Sequence, residues 1–161
     1  MIRSPKDEQL IKQILTSTKT IAMVGVSSIQ KKELSNNIRR RPSIIVMKYL
    51  QEFGYRVIPV NLFSVGKKIC GENVVAKLED IKIKVDIVDV FRPSAEIPPI
   101  AEQTVKIGAK VLWLQYGIQN KKAEEVVKLA NISCISNKCI KQEYQKLFLK
   151  INPVFPALRN V

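Results

Sequence analysis

Thr20-Ile21-Ala22-Met23-Val24-Gly25-Val26-Ser27-Ser28 carries a short apolar run into a glycine turn, and a helical pattern resumes only at Pro42-Ser43. The run reads as a buried strand, and the segment after the turn as a helix whose N-terminus faces it. Backbone N–H groups at such a turn, with the helix dipole behind them, form an anion site without any special side chain. The stretch between carries Lys31, Lys32, Arg39, Arg40 and Arg41, so the turn faces concentrated positive charge. An anionic, phosphate-bearing ligand is the expectation.

Outward from that turn, helical and extended patterns alternate. Ser4-Pro5 caps an amphipathic helix with Leu10, Ile11, Ile14 and Leu15 inward. Strands are expected at 20–26, 56–61, 85–91, 111–114 and 133–136, and helices at 43–53, 98–107, 121–130 and 141–150. Pro59 marks a weakly paired position in the second strand. Residues 65–74 read as a loop with a short extended piece at Lys68-Ile69-Cys70, and Leu78-Glu79-Asp80-Ile81 as a helical turn. This alternation implies right-handed crossovers and an α/β, Rossmann-like three-layer sandwich around a mostly parallel five-stranded sheet. Such a sheet binds ligands at the carboxyl ends of its strands. That end gathers Gly25–Ser28 (25–28), Asn61-Leu62, Phe91-Arg92-Pro93 and Gln115-Tyr116-Gly117.

Composition narrows the function. With 161 residues, 46% of them hydrophobic, the chain can build a sizeable core and is not of disordered type. One domain is expected over 1–151, with an irregular tail at 152–161 containing Pro153 and Pro156. No apolar stretch is long enough to span a bilayer. Met1 to Glu8 has no apolar run behind its charges, and Cys70, Cys134 and Cys139 lack metal-ligand spacing; a cytoplasmic setting with free thiols is expected. The net charge of +13 raises nucleic acid as a partner. Scattered lysines and few aromatics argue against it. The chain has no histidine, which excludes Ser-His-Asp and Cys-His catalysis and histidine-bound zinc.

A dinucleotide fingerprint would add two more glycines and an acidic residue at the end of the second strand. Here the turn has Gly25 alone, and Asn61 stands where the carboxylate would be. A carboxylate there would repel a ribose phosphate, whereas Asn61 tolerates one, which favours a 2′- or 3′-phosphorylated adenine nucleotide over NAD. Asp86 and Asp89, three apart on one strand, point to opposite faces and read as structural carboxylates, capping helices or pairing with arginine. Trp113 reads as core. Arg92, directly after a buried strand, reads as an anion contact or as surface charge.

Gly25-Val26-Ser27, Arg41-Pro42-Ser43 and Val57-Ile58-Pro59-Val60-Asn61 together resemble the start of the small CoA-binding proteins. These are stand-alone domains similar to the CoA-binding domain of succinyl-CoA synthetase α subunits. Asp86 to Arg92, Gly108 to Ile118, and Cys139-Ile140-Lys141 with Glu143 are similar to the family's later segments. Tyr144 departs from the pattern, since members commonly have histidine there.

The resemblance implies that coenzyme A, or an acyl-CoA, binds in the crevice. Gly25, Val26, Ser27 and Ser28 would then line the pyrophosphate, with Ser43 at the helix N-terminus and Arg41 on phosphate. Val60 and Asn61 would border the adenosine, Phe91, Arg92 and Pro93 the adenosine and pantetheine side, and Gln115 the thiol arm. The chain lacks the synthetases' ATP-grasp partner and phosphorylated histidine, so the resemblance implies binding without catalysis. Two alternatives stay open: an enzyme using NADP or a CoA thiol through Cys139, and a nucleic-acid or protein partner of the basic loop. Self-association, as a homo-oligomer, is also left open.

Overall fold

A computed structural model describes residues 4–26 and 42–149. The basic run Arg39-Arg40-Arg41, Ser27, Ser28 and the tail 152–161 lie outside them. Among the described residues, five parallel strands form one sheet: β1 (Thr20–Val24), β2 (Arg56–Val60), β5 (Ile87–Val90), β6 (Val111–Leu114) and β7 (Ser133–Ile135). β3 (Lys68–Ile69) and β4 (Glu72–Asn73) make a small antiparallel hairpin. The helices are α1 (Pro5–Ser17), α2 (Pro42–Glu52), α3 (Ile97–Lys106), α4 (Lys121–Leu129) and α5 (Ile140–Tyr144). The fold is Rossmann-like.

Strand order is β2-β1-β5-β6-β7. The chain runs outward from β1 to β2, then crosses back over β1 to β5, so the switch point lies between β1 and β5. Their carboxyl ends are where such a sheet leaves a crevice.

Side-chain alternation sends the strands' apolar residues to two cores. Ile21, Met23, Val57, Ile87, Val111 and Trp113 pack with Ile11, Leu15, Met47, Leu50 and Ile140 of α1, α2 and α5. Ala22, Val60, Val88, Val90, Leu112 and Leu114 pack with Ile97, Ala101, Ala123 and Val127 of α3 and α4. Fully buried side chains of this size contribute about 1.5–3 kcal/mol each, so both faces are strongly specified. Trp113 is indeed core: it is fully buried, and its Nε1–H donates to the Lys138 carbonyl at 2.8 Å.

The helix α1 starts as its sequence directs, with the Asp7 N–H donating to Ser4 Oγ at 3.1 Å. Pro59 pairs in register with Met23 of β1 while its carbonyl accepts from the Val75 N–H at 3.0 Å on the outer side. Its missing N–H therefore faces outward, where no ladder bond is lost. Two expectations are refined. The extended piece at 68–70 is half of a hairpin whose two turn residues, Cys70 and Gly71, both have positive φ. The last helix is shorter than 141–150: α5 ends at Tyr144 and a turn of π-helix, Gln145–Leu149, follows.

Candidate functional site

At the end of β1, Gly25 has φ +93° and its N–H donates to the Val60 carbonyl at 2.9 Å. A Cβ here would stand 2.7 Å from Arg92 Cδ and 2.9 Å from the Phe91 carbonyl. Glycine is therefore required twice, for its conformation and for the close approach of the β5 exit. The neighbouring Val26 is fully buried, and its carbonyl accepts from Asn61 Nδ2 at 2.8 Å. Asn61 Oδ1 in turn accepts from the Phe63 N–H at 2.9 Å, opening a 3-10 turn, Leu62–Ser64. One amide thus ties the exits of β1 and β2 together.

Beside this junction lies a cavity of about 540 Å³, within the range of small-molecule sites. Val24, Gly25, Val60 and Asn61 form its inner wall, and Ala76, Leu78 and Ile100 line it with apolar surface. Leu62 and Phe63 form its lip, and Phe63 is 87% exposed. Lys77, Arg92, Glu96 and Gln103 supply the polar groups. Arg92 Nε donates to Glu96 Oε2 and Nη2 to Glu96 Oε1, each at 2.9 Å. The bonds from Arg92 hold the Glu96 carboxyl below its ordinary value.

Of the residues singled out from the sequence, Gly25, Val60, Asn61 and Arg92 line this cavity. Val26 is buried beneath it. Pro93 opens the turn Ser94–Glu96 by accepting the Glu96 N–H at 2.9 Å, and Phe91 packs against the core beneath α2 and α5. Ser43 is buried in the first turn of α2. Ser27, Ser28 and Arg41 lie outside the described residues. Gln115 is 4% exposed and its Nε2 donates to Asp89 Oδ1, so its amide is engaged inside the sheet face. Sequence reasoning missed Phe63, Lys77, Glu96 and Gln103. Glu96 had a signal, four residues after Arg92 at a helix start. Lys77 had none, since it follows an irregular stretch held to β2 by the Val60–Val75 bridge.

Contrary to the sequence expectation, among the described residues the two strand carboxylates neither cap a helix nor pair with an arginine: Asp86 holds the start of β1 and Lys110, and Asp89 holds Gln115. Burial alone would raise the Asp86 carboxyl. The N–H groups of Lys19 (2.9 Å) and Thr20 (3.2 Å) and the Lys110 ammonium (3.6 Å) outweigh it, and the group sits below the ordinary value. Asp89 is fully buried, and burial pushes its carboxyl up to about 7 although Gln115 opposes the shift. Cys139 lies close by at the start of α5, and burial, together with the Asp89 charge, raises its thiol. Burial raises Cys70 and Cys134 as well. No thiol among the described residues is poised as a thiolate nucleophile, and no described cluster of Cys, Asp and Glu could hold a metal. Tyr144 packs among Phe53, Tyr55 and Phe148 with centroids 4.7–6.1 Å away.

A family model described as a CoA binding domain matches residues 19–145. The chain belongs to this CoA-binding family. It is 36% identical over 131 residues to the YneT protein of Bacillus subtilis, covering 81% of this chain and 89% of that one. A solved Thermus thermophilus structure is similar at 35% identity and a TM-score of 0.77, covering 88% of this chain and 98% of the other. A Pyrococcus horikoshii OT3 protein is similar at 33% identity and a TM-score of 0.79, covering 91% and 98%. Among the described residues no helix is long and apolar enough to cross a membrane.

Proposed function

We propose that the protein binds coenzyme A, or an acyl-CoA, at the carboxyl end of its sheet and works as a binding or regulatory protein that does no chemistry on its ligand. The cavity at the switch point supports this reading in a chain of the CoA-binding family. It joins a glycine turn and two cations to an apolar lip. The pyrophosphate lies along the Gly25 turn toward Arg92, and the adenosine lies against Val60 and Phe63 with its 3′-phosphate toward Lys77. Asn61 serves by holding the two loops in place, since both ends of its amide are already bonded. The raised thiols favour binding over thiol exchange through Cys139. The N-terminus of α2, which follows the basic run, is the second expected anchor for phosphate, with Ser43 in its first turn.

Calorimetric titration with CoA, dephospho-CoA, NAD and NADP tests the reading. CoA should bind, and dephospho-CoA more weakly. Failure to bind CoA, or a preference for NADP, would overturn it.

A further inference from the structure

Glu96 is the one carboxylate lining the cavity among the described residues, and an acidic group is an odd neighbour for an anionic ligand. Its geometry explains the placement. Both oxygens are engaged by the Nε and Nη2 edge of Arg92, the same fork that grips a phosphate with two parallel bonds. The pair is half-exposed, with 40% and 47% of the side chains accessible, so it is weak and readily exchanged. The Arg92 stem is less free, because its Cδ and Cγ lie over Gly25 where no Cβ fits. The guanidinium is therefore delivered to the glycine turn, and only its fork has a choice of partner. The helix behind Glu96 offers no substitute donor in its first turn, since the Ile97 N–H that opens α3 donates to the Ser94 carbonyl and the next two residues, Pro98 and Pro99, carry no N–H.

We propose that Glu96 is a built-in stand-in for the ligand's pyrophosphate. It occupies the Arg92 fork in the free protein and is displaced when the ligand arrives. This rests on the CoA reading of the cavity. Glu96 keeps Arg92 from capturing small free anions and sets a threshold that a ligand must meet with contacts elsewhere in the cavity. Affinity is thereby lowered by a similar factor for every phosphate compound, so that at a given concentration only one that also fills the apolar lip reaches high occupancy.

The test is calorimetry with CoA and dephospho-CoA on the wild type, Glu96→Gln, Arg92→Gln and the double variant, with circular dichroism as a check on folding. Glu96→Gln should tighten CoA by about two- to fivefold, the value of one exposed ion pair. The gain should persist with dephospho-CoA and vanish in the Arg92→Gln background. If the wild type binds CoA and Glu96→Gln leaves affinity unchanged or weaker, the proposal fails and Glu96 merely positions Arg92. A gain confined to CoA, absent with dephospho-CoA, would overturn the pyrophosphate assignment. Binding by none of the four would overturn the CoA reading and this proposal with it.

Discussion

The two ends of the sheet are held together by different chemistry. At the amino end a charged group does the work: the Asp86 carboxylate gathers the N–H groups of Lys19 and Thr20 and the ammonium of Lys110, joining the starts of β1, β5 and β6. At the carboxyl end neutral amides do it. Asn61 bonds the Val26 carbonyl, Asn120 Nδ2 donates to the Ser94 carbonyl at 2.8 Å, and Asn137 Oδ1 accepts from the Gly117 N–H at 2.6 Å. An amide ties loops as well as a carboxylate does but adds no charge. The carboxyl end can thus be held largely by neutral groups and leave positive potential to an anionic ligand; of its carboxylates, Glu124 accepts from Ser136 Oγ at 2.8 Å and Glu96 is neutralised by Arg92.

Substitutions at either end can break this contrast. The largest effect is expected from Gly25→Ala, which combines a positive φ with a Cβ 2.7 Å from Arg92 Cδ. A loss of about 2–4 kcal/mol in chemical denaturation should accompany at least a tenfold loss of CoA affinity. Asp86→Ala should cost about 2–3 kcal/mol by stranding two backbone donors. It should leave CoA affinity unchanged, because a strand's length separates the ends. Altered affinity there would mean that the ends are coupled.

Asp89→Asn sharpens the comparison from inside the sheet. Its carboxyl titrates at about 7 when folded and at about 3.9 when unfolded, so the folded state holds the proton more tightly. Stability from this group therefore falls as pH rises from about 4 to about 7, then stays flat. The asparagine should gain about 1–3 kcal/mol at pH 8, and nothing below pH 4, in paired denaturation curves. Asp86 has the opposite sign. Its carboxyl is lowered, so its contribution is present above the ordinary carboxylate range and is lost as pH falls through its folded value. The smallest effect is expected from Asn61→Asp. It keeps the acceptor for the Phe63 N–H but sets a carboxylate against the Val26 carbonyl, costing about 1 kcal/mol in stability. CoA affinity should drop about tenfold by calorimetry, and an unchanged affinity would show that charge at this end does not matter.

The sheet and its helices were legible because apolar runs of strand length alternate with helical spacing, and Gly54 and Gly108 close two of the helices. What escaped was made of irregular segments. The hairpin at 68–73 turns through Cys70 in a left-handed conformation, which cysteine does not advertise. The π turn after Tyr144 spans only five residues, too few for its wider period to be told in sequence from a continued α-helix. The inner wall of the cavity followed from strand ends, so Gly25, Val60, Asn61 and Arg92 could be read directly. The outer wall comes from loops that the sequence orders only through contacts across the fold, as with Lys77 beside the Val60–Val75 bridge. Gln115 shows the converse: the position at a strand end was legible, but its partner Asp89, one strand away, was not.

Pro59 has a consequence for how copies of this chain meet. Strand edges template other chains when they offer a row of alternating donors and acceptors. The outer side of β2 has no N–H to offer at Pro59, and the carbonyl there is already taken by Val75. The opposite edge, β7, is three residues long. Among the described residues, then, both margins offer an incoming strand little ladder to extend, which works against growth of these apolar strands into a larger sheet.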